Sequence, residues 1–132
     1  MSIVPGLIVR MSGKSFSDAV AGAEQALAEA AVPLIARIDH SLSASEAELT
    51  LRPTLLLLFG SARGGTPMME ALPTSAIDLP MKLLIWQDHD GRVWLAANDP
   101  VWIARRHGSG TPADLLTASL KALIAKVMAA AA

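Results

Sequence analysis

The chain contains no cysteine, and this absence excludes several kinds of chemistry at once. Disulfide bonds, thiolate metal ligands and thiol nucleophiles all require the cysteine side chain. A protein without these groups fits a reducing compartment, and we predict a cytoplasmic location. Histidine is also scarce. The three histidines show neither the Glu-x-x-His nor the His-x-His spacing of zinc sites. The sequence therefore predicts no metal and no cofactor.

Aromatic side chains and excess charge are lacking as well. Aromatic residues make up 4% of the chain, tyrosine is absent, and the formal net charge is -1. Nucleic-acid-binding proteins depend on clustered cations and on aromatic rings that stack on bases, so we exclude a nucleic-acid partner. No cationic segment followed by an apolar stretch opens the chain, as a signal peptide would. The most apolar long segment, residues 113–132, contains Lys121 and Lys126, which predicts an amphipathic helix and no membrane partner.

Apolar residues are abundant, and their spacing indicates the secondary structure. They form 52% of the 132 residues, which is enough for one domain, spanning 1–132, with a compact core. Alternation predicts strands at residues 4–11 and 34–40, and recurrence every three or four residues predicts a helix at 14–31. Residues 55–59 are apolar throughout, which is typical of a central strand. In the last helix we expect Leu116, Leu120, Leu123 and Val127 to form the apolar stripe.

A hairpin is predicted for residues 81–97, with its turn at 88–91 and Gly91 in a left-handed conformation. This register places Trp86 directly opposite Trp94, on the face away from the aliphatic residues that alternate with them. A monomer rarely exposes two facing indoles, so we predict that a homodimer buries them. After the hairpin, Asn98 or Asp99 is expected to cap a short helix that begins at Pro100.

The glycine-rich segment after the central strand is the best candidate for a ligand site. Gly60 and Gly65 have the separation found in a nucleotide phosphate loop, but Thr66 and Pro67 replace the required Lys and Ser or Thr, so we reject that assignment. Glycines still allow a ligand to approach the backbone before a helix that begins at Thr66, and Arg63 could add donors. The predicted ligand is small and anionic or polar, and the alternative is a tight turn with a capped helix. The predicted site consists of Gly60, Ser61, Arg63, Gly64, Gly65, Thr66 and Asp78.

His40 and Asp39, at the end of the second strand, are the candidate catalytic residues. If the strand ends gather near the glycine segment, an imidazole and a carboxylate would be available for proton transfer or for holding a divalent metal. We predict that His40 or Asp39 shares one pocket with the glycine segment, Arg63 and Asp78. The alternative is that Asp39 caps the polar segment 41–49, and that Asp78 bonds backbone amides before Pro80. We expect the remaining histidines, His89 and His107, to be exposed.

The ordered motifs along the chain resemble those of the domain of unknown function 302 family. They are IDHSLSA at 38–44, LRPTLLLLFG at 51–60, GTPMM at 65–69, IDLPMKLLIWQDHDG at 77–91 and NDPVWIARRHG at 98–108. Together with the flanking helices, the resemblance covers nearly the whole chain. It implies a small α+β domain of two layers, with helices packed on a mainly antiparallel sheet of about five strands, commonly paired in a homodimer. It implies no particular activity.

Three functional interpretations follow from the sequence. The chain could bind a small anionic or polar molecule at the glycine-rich segment. It could be an enzyme that uses His40 or Asp39 as a general acid or base on that molecule. It could instead be an interaction module that uses the Trp86 and Trp94 face of the sheet.

Overall fold

The structure, a computed structural model, describes residues 4–108 and 111–132. Its elements, in chain order, are β1 (Leu7–Ser12), α1 (Phe16–Glu29), β2 (Leu34–Asp39), α2 (His40–Glu46), β3 (Thr54–Phe59), α3 (Ala62–Ala71), a 3-10 segment (Pro73–Asp78), β4 (Met81–Gln87), β5 (Val93–Asn98), α4 (Pro100–His107) and α5 (Thr111–Ala131). The strands form one antiparallel sheet in the order β1-β5-β4-β3-β2. The expected α+β fold with a five-stranded antiparallel sheet is confirmed.

One face of the sheet and the helices packed on it make the hydrophobic core. Strand residues alternate between faces, so every second residue of β3, β4 and β5 points toward the helices. These buried residues are Leu55, Leu57, Phe59, Met81, Leu83, Ile85, Val93, Leu95 and Ala97. Their helical partners include Ala23 and Leu27 of α1 and Ile124 and Val127 of α5. The sheet is therefore covered by helices on one side, and we call the opposite side the open face.

Helices α1 and α5 lie close together because small residues line their contact. Ala19 and Ala23 are fully buried there. A Cβ atom built on Gly22 would lie 2.2 Å from the carbonyl oxygen of Ala130, which is closer than atoms can pack. Gly22 thus permits a backbone approach that no other residue would allow.

The turn between β1 and α1 satisfies carbonyl groups at the end of α5. Three hydrogen bonds do this: Ser12 Oγ to Ala131 O at 2.6 Å, Gly13 N to Ala132 O at 2.9 Å, and Lys14 Nζ to Ala130 O at 2.6 Å. The last carbonyls of a helix have no partner within the helix, so these donors act as its C-terminal cap. Together with the pairing of β1 and β5, they join distant parts of the chain.

The hairpin has the predicted register. Trp86 pairs with Trp94, and their rings stack with centroids 6.3 Å apart and planes 20° from parallel. Gly91 has a φ of 82°. The carboxylate of Asp88 accepts a 2.9 Å hydrogen bond from Trp94 Nε1 and bonds from two turn amides, which lower the pKa of Asp88. Local turn chemistry and alternation therefore determine this part of the fold.

Helix boundaries agree with the sequence in one place and differ in another. Asp99 caps α4 as expected, and Ser15 caps α1. Helix α3, however, begins at Ala62 and not at Thr66, because the Ser61 side chain accepts a 3.3 Å bond from Gly64 N and starts the helix one turn earlier. Gly64 and Gly65 consequently lie inside the helix. The expected place of Leu116 in the apolar stripe of α5 falls outside the described side chains.

Candidate functional site

A cavity of about 380 Å³ opens where β3 ends and α3 begins. Gly60, Ser61, Gly64, Gly65 and Thr66 all line it, as the sequence predicted for a site after the central strand. Helix α5 and the 3-10 segment form the other walls. The lining also includes Ile35, Phe59, Met69, Leu79, Leu120 and Leu123. The cavity is therefore mainly apolar, whereas the sequence suggested a site for a small anionic or polar molecule.

Two glycines leave room in this cavity. A Cβ atom on Gly64 would lie 3.7 Å from Leu120 Cδ2, and one on Gly65 would lie 3.6 Å from Met69 Cε. Both distances are ordinary van der Waals contacts, so neither glycine is required by crowding. The absent side chains instead enlarge the space between α3 and its neighbours.

Two residues predicted for this site lie elsewhere. Arg63 is on α3, but it is not among the residues that line the cavity, and its side chain is exposed. Asp78 ends the 3-10 segment and also does not contact the cavity. The lining residues that carry a polar side chain are Ser61 and Thr66, each with a hydroxyl, among the residues that the structure describes.

His40 and Asp39 lie at the opposite end of the sheet, so the expected pocket shared with the glycine segment does not exist. β2 and β3 are antiparallel, with Asp39 beside Leu55 and Leu34 beside Phe59. A strand rises about 3.4 Å per residue, which places Asp39 about 14 Å from the end of β3. The prediction that these strand ends meet was wrong because antiparallel pairing brings the end of β2 beside the start of β3.

Asp39 has the capping role that the sequence offered as an alternative. Its Oδ1 accepts bonds from Ser41 Oγ at 2.6 Å and from Leu42 N at 2.9 Å, and α2 begins at His40. The bond from the Ser41 hydroxyl, followed by that from the Leu42 amide, lowers the pKa of Asp39. A polar hollow beside β2 is lined by Asp39, Arg37 and Glu24, and the last two form an ion pair at 2.7 Å.

A cluster that the sequence did not reveal joins the 3-10 segment to the end of α4. His107 Nε2 lies 2.5 Å from Asp78 Oδ2, and His107 Nδ1 lies 2.8 Å from Thr74 Oγ1. Arg106 Nη1 donates to both Asp78 oxygens at 2.9 and 3.0 Å. The His107 side chain is only 7% exposed, so the expectation that it is exposed was wrong. Asp78 binds these side chains and not the amides before Pro80.

The Asp78 carboxylate is held in its ionised form within this cluster. Partial burial alone would raise the pKa of Asp78, but the hydrogen bond from His107 and the positive charge of Arg106 together lower it below its ordinary value. Asp78 and His107 are 29 residues apart, on different elements. No spacing rule connects such residues, so the cluster could not have been found from the sequence.

The described part of the chain contains neither a group of metal ligands nor a membrane-spanning helix. Among the described side chains, those of residues 4–108 and 117–132, no three from His, Cys, Asp or Glu are grouped so that they could hold a metal ion. In that part of the chain no helix is both long and apolar enough to cross a membrane.

The fold and the cavity define a class of protein: a small two-layer α+β domain with an apolar cavity between its helices and the end of β3, an interior strand beside the central β4. The chain belongs to the family described as "Domain of unknown function DUF302", which matches residues 8–128. A solved structure of the uncharacterized conserved protein DUF302 from Bacillus stearothermophilus has the same fold, with a TM-score of 0.85. The similarity covers 98% of this chain and 100% of that one at 12% sequence identity.

Curated relatives are considerably longer than this chain. It is 35% identical over 119 residues to "Fluoride-specific ion channel FluC 1" of Brucella suis biovar 1 (strain 1330), covering 90% of this chain and 46% of that protein. The protein of the same name in Brucella abortus biovar 1 (strain 9-941) matches at the same identity over 43% of its length. The chain thus spans less than half the length of these relatives, and their name describes the longer proteins.

Proposed function

We propose that this protein binds a small, mainly apolar molecule in the cavity beside the glycine-rich start of α3. The observation that carries the proposal is the cavity itself, whose volume of about 380 Å³ lies in the range of small-ligand sites. Apolar walls with a few polar groups are typical of such sites, because burial supplies affinity and the polar groups fix orientation. The cavity lies beside the glycine-rich segment, and the chemistry of its lining favours a different ligand from the one predicted from the sequence.

The polar part of the ligand follows from the groups that line the cavity. Among the described side chains that line it, none is charged. Ser61 and Thr66 contribute hydroxyl groups, which can donate a hydrogen bond to a carbonyl or an alcohol oxygen. A fully ionised ligand would lose its hydration without gaining a cation, so a neutral molecule with one acceptor group fits better than a small anion.

The experiment is a thermal-shift and calorimetric comparison of two ligand series, one of neutral medium-chain alcohols, ketones and amides and one of inorganic and organic anions. A ligand that binds only the folded chain stabilises it by about 2.7 kcal/mol when present at 100 times its dissociation constant. We expect the neutral series to raise the unfolding temperature, with a chain-length optimum set by the cavity volume. Stabilisation by anions alone would contradict the proposal.

Two variants of α3 sharpen this test. Gly65→Leu projects a side chain toward Met69 and Leu79 and fills the cavity, so it should reduce binding at least tenfold. Arg63→Ala removes a side chain on the same helix that does not line the cavity, so it should leave affinity unchanged. If Arg63→Ala weakens binding and Gly65→Leu does not, the ligand occupies another site.

A second candidate function, self-association through the open face, is favoured by the side chains there. Among strand residues of this face, Met11 is 53% and Ile38 is 38% exposed, and the stacked Trp86 and Trp94 lie between them. Lys82 supplies a charge on this face, but its Nζ is bonded to the carbonyls of Asp78 and Pro80. A five-stranded apolar face is a larger patch than monomers usually expose.

We propose that a second copy of the chain covers the open face. The face is mostly apolar, with Lys82 on β4 and the Asp88 carboxylate beside Trp94, and such a surface can meet its own copy in a symmetric dimer. Two sheets can pack face to face at about 10 Å, so that the partners together form a sandwich enclosed by helices on both sides. Stable dimers bury about 800 Å² per partner, an area that a sheet of this width can supply.

Sedimentation velocity at micromolar concentration tests this second candidate. We expect a dimer for the unmodified chain and a monomer for Ile38→Glu with Leu84→Arg, which place charges on the open face. Glu70→Arg changes an exposed charge on α3 and serves as the control. A monomer for the unmodified chain would eliminate the candidate. The catalytic alternative at His40 and Asp39 has no comparable support, because Asp39 is engaged as a helix cap.

A further inference from the structure

The cluster of Thr74, His107 and Asp78 has the connectivity of a nucleophile, a base and an orienting carboxylate. Both ring nitrogens of His107 are engaged, Nδ1 with the Thr74 hydroxyl at 2.8 Å and Nε2 with Asp78 at 2.5 Å. Asp78 is in turn fixed by Arg106, whose Nη1 lies within 3.0 Å of both carboxylate oxygens. These distances are those of functional hydroxyl–imidazole pairs whose base is oriented by a third group.

The positions of the protons follow from the partners. An ionised carboxylate can only accept hydrogen bonds, so Nε2 of His107 must donate to Asp78. In the neutral ring the other nitrogen, Nδ1, is then an acceptor, and the Thr74 hydroxyl donates to it. In this tautomer the threonine proton points at the group that would remove it.

Thr74 and His107 differ in exposure in the way that catalysis requires. Thr74 is exposed, so a substrate can reach its oxygen, whereas His107 is buried and held in one orientation. Arg106 is half exposed and carries positive charge beside the cluster. The cluster is separate from the cavity: Ala76 and Leu79 line the cavity, and Thr74 and Asp78 do not.

We propose that Thr74 is a nucleophile for acyl transfer, with His107 as its general base and Asp78 as the residue that positions His107. The substrate class is a small ester. Thr74 Oγ1 forms a bond to the ester carbonyl carbon while His107 Nδ1 takes the hydroxyl proton. The carbon–oxygen bond to the leaving alcohol then breaks, and His107 returns the proton to that alcohol. A water molecule, deprotonated by His107, later attacks the acyl-threonine, and the protonated imidazole restores the Thr74 hydroxyl as the carboxylic acid leaves.

The arrangement could also be purely structural, since it ties the 3-10 segment to α4, and the experiment must separate the two roles. We use p-nitrophenyl acetate as the probe and follow acetylation of the whole chain by mass spectrometry with peptide mapping. We expect Thr74 to be acetylated faster than Thr50, an exposed threonine outside the cluster. His107→Gln should lower the rate at Thr74 about 100-fold or more, the usual contribution of a general base.

Further variants make the outcome decisive even if His107→Gln is poorly folded. Thr74→Ser keeps the hydroxyl and should retain acetylation at position 74, and Thr74→Val should abolish it. Thr50→Val should leave the rate at Thr74 unchanged. Acetylation of Thr74 no faster than that of Thr50 in the folded chain would show that the cluster is only a structural tie.

Discussion

Replacing Gly64 and Gly65 by alanine should stabilise this protein. Both glycines lie inside α3, and neither has a left-handed φ. Glycine within a helix is less favourable than alanine by about 0.5–1 kcal/mol. The added methyl groups would meet Leu120 and Met69 at 3.7 and 3.6 Å, which are favourable contacts. We therefore expect the free energy of unfolding of the double variant to increase by about 1–2 kcal/mol, with the lower value more appropriate near a helix start.

Urea unfolding followed by tryptophan fluorescence measures this change. Gly91→Ala is the matched control, because Gly91 has a φ of 82° and alanine there should reduce stability by about 1–2 kcal/mol. Since the methyl groups of the double variant also narrow the cavity, ligand affinity should fall while stability rises. A double variant less stable than the original chain would refute the reasoning. It would mean that the backbone of α3 requires glycine at these two positions, and that the glycines do not make space for a ligand.

Two further predictions concern helix packing and acid stability. Gly22→Ala should reduce the free energy of unfolding by about 1–3 kcal/mol, because its methyl group would collide with the carbonyl of Ala130. Urea unfolding measures the loss. An unaltered midpoint would mean that α1 and α5 separate readily. The pKa values of Asp39, Asp78 and Asp88 are lowered in the folded state, so the unfolded chain binds more protons than the folded chain as the pH falls. The stabilisation that these carboxylates provide above about pH 4 should therefore disappear as the pH falls through their pKa values in the folded state. Unfolding measured from neutral to acid pH should show this loss, with a smaller slope in Asp88→Asn, and a stability independent of pH below about 4 would contradict it.

Features determined by neighbouring residues were predictable from the sequence. The register that pairs Trp86 with Trp94 follows from the turn residues and the alternation of the two strands. The start of α4 follows from Asp99 and Pro100, because a capping carboxylate and a proline at the first turn act locally. The position of the cavity was also predictable, since a strand that is apolar on both faces leaves polar and glycine residues only at its end.

Features determined by strand order and by distant contacts were not predictable. Nothing in the sequence states that β2 pairs with β3 in an antiparallel sense, and that pairing separates His40 from the glycine segment. The cluster of His107 and Asp78 depends on how α4 packs beside the 3-10 segment, which is decided by the whole core. The start of α3 was misplaced because proline at position 67 suggested a helix start more strongly than the Ser61 cap one turn earlier.

The contact between the β1 turn and the end of α5 has a consequence for how the chain acquires its structure during synthesis. Ser12 bonds a carbonyl that is 119 residues away, and β1 pairs only with β5 in the sheet. β1 therefore stays without its partner in the sheet until β5 has been made, and without its contact to α5 until the last turn of that helix has been made. Because long-range pairing of this kind is slow, the edge of β5 and the apolar residues of β1 remain available to other chains for that interval. Aggregation through these two strands is consequently most favoured during synthesis, before β1 has paired with β5.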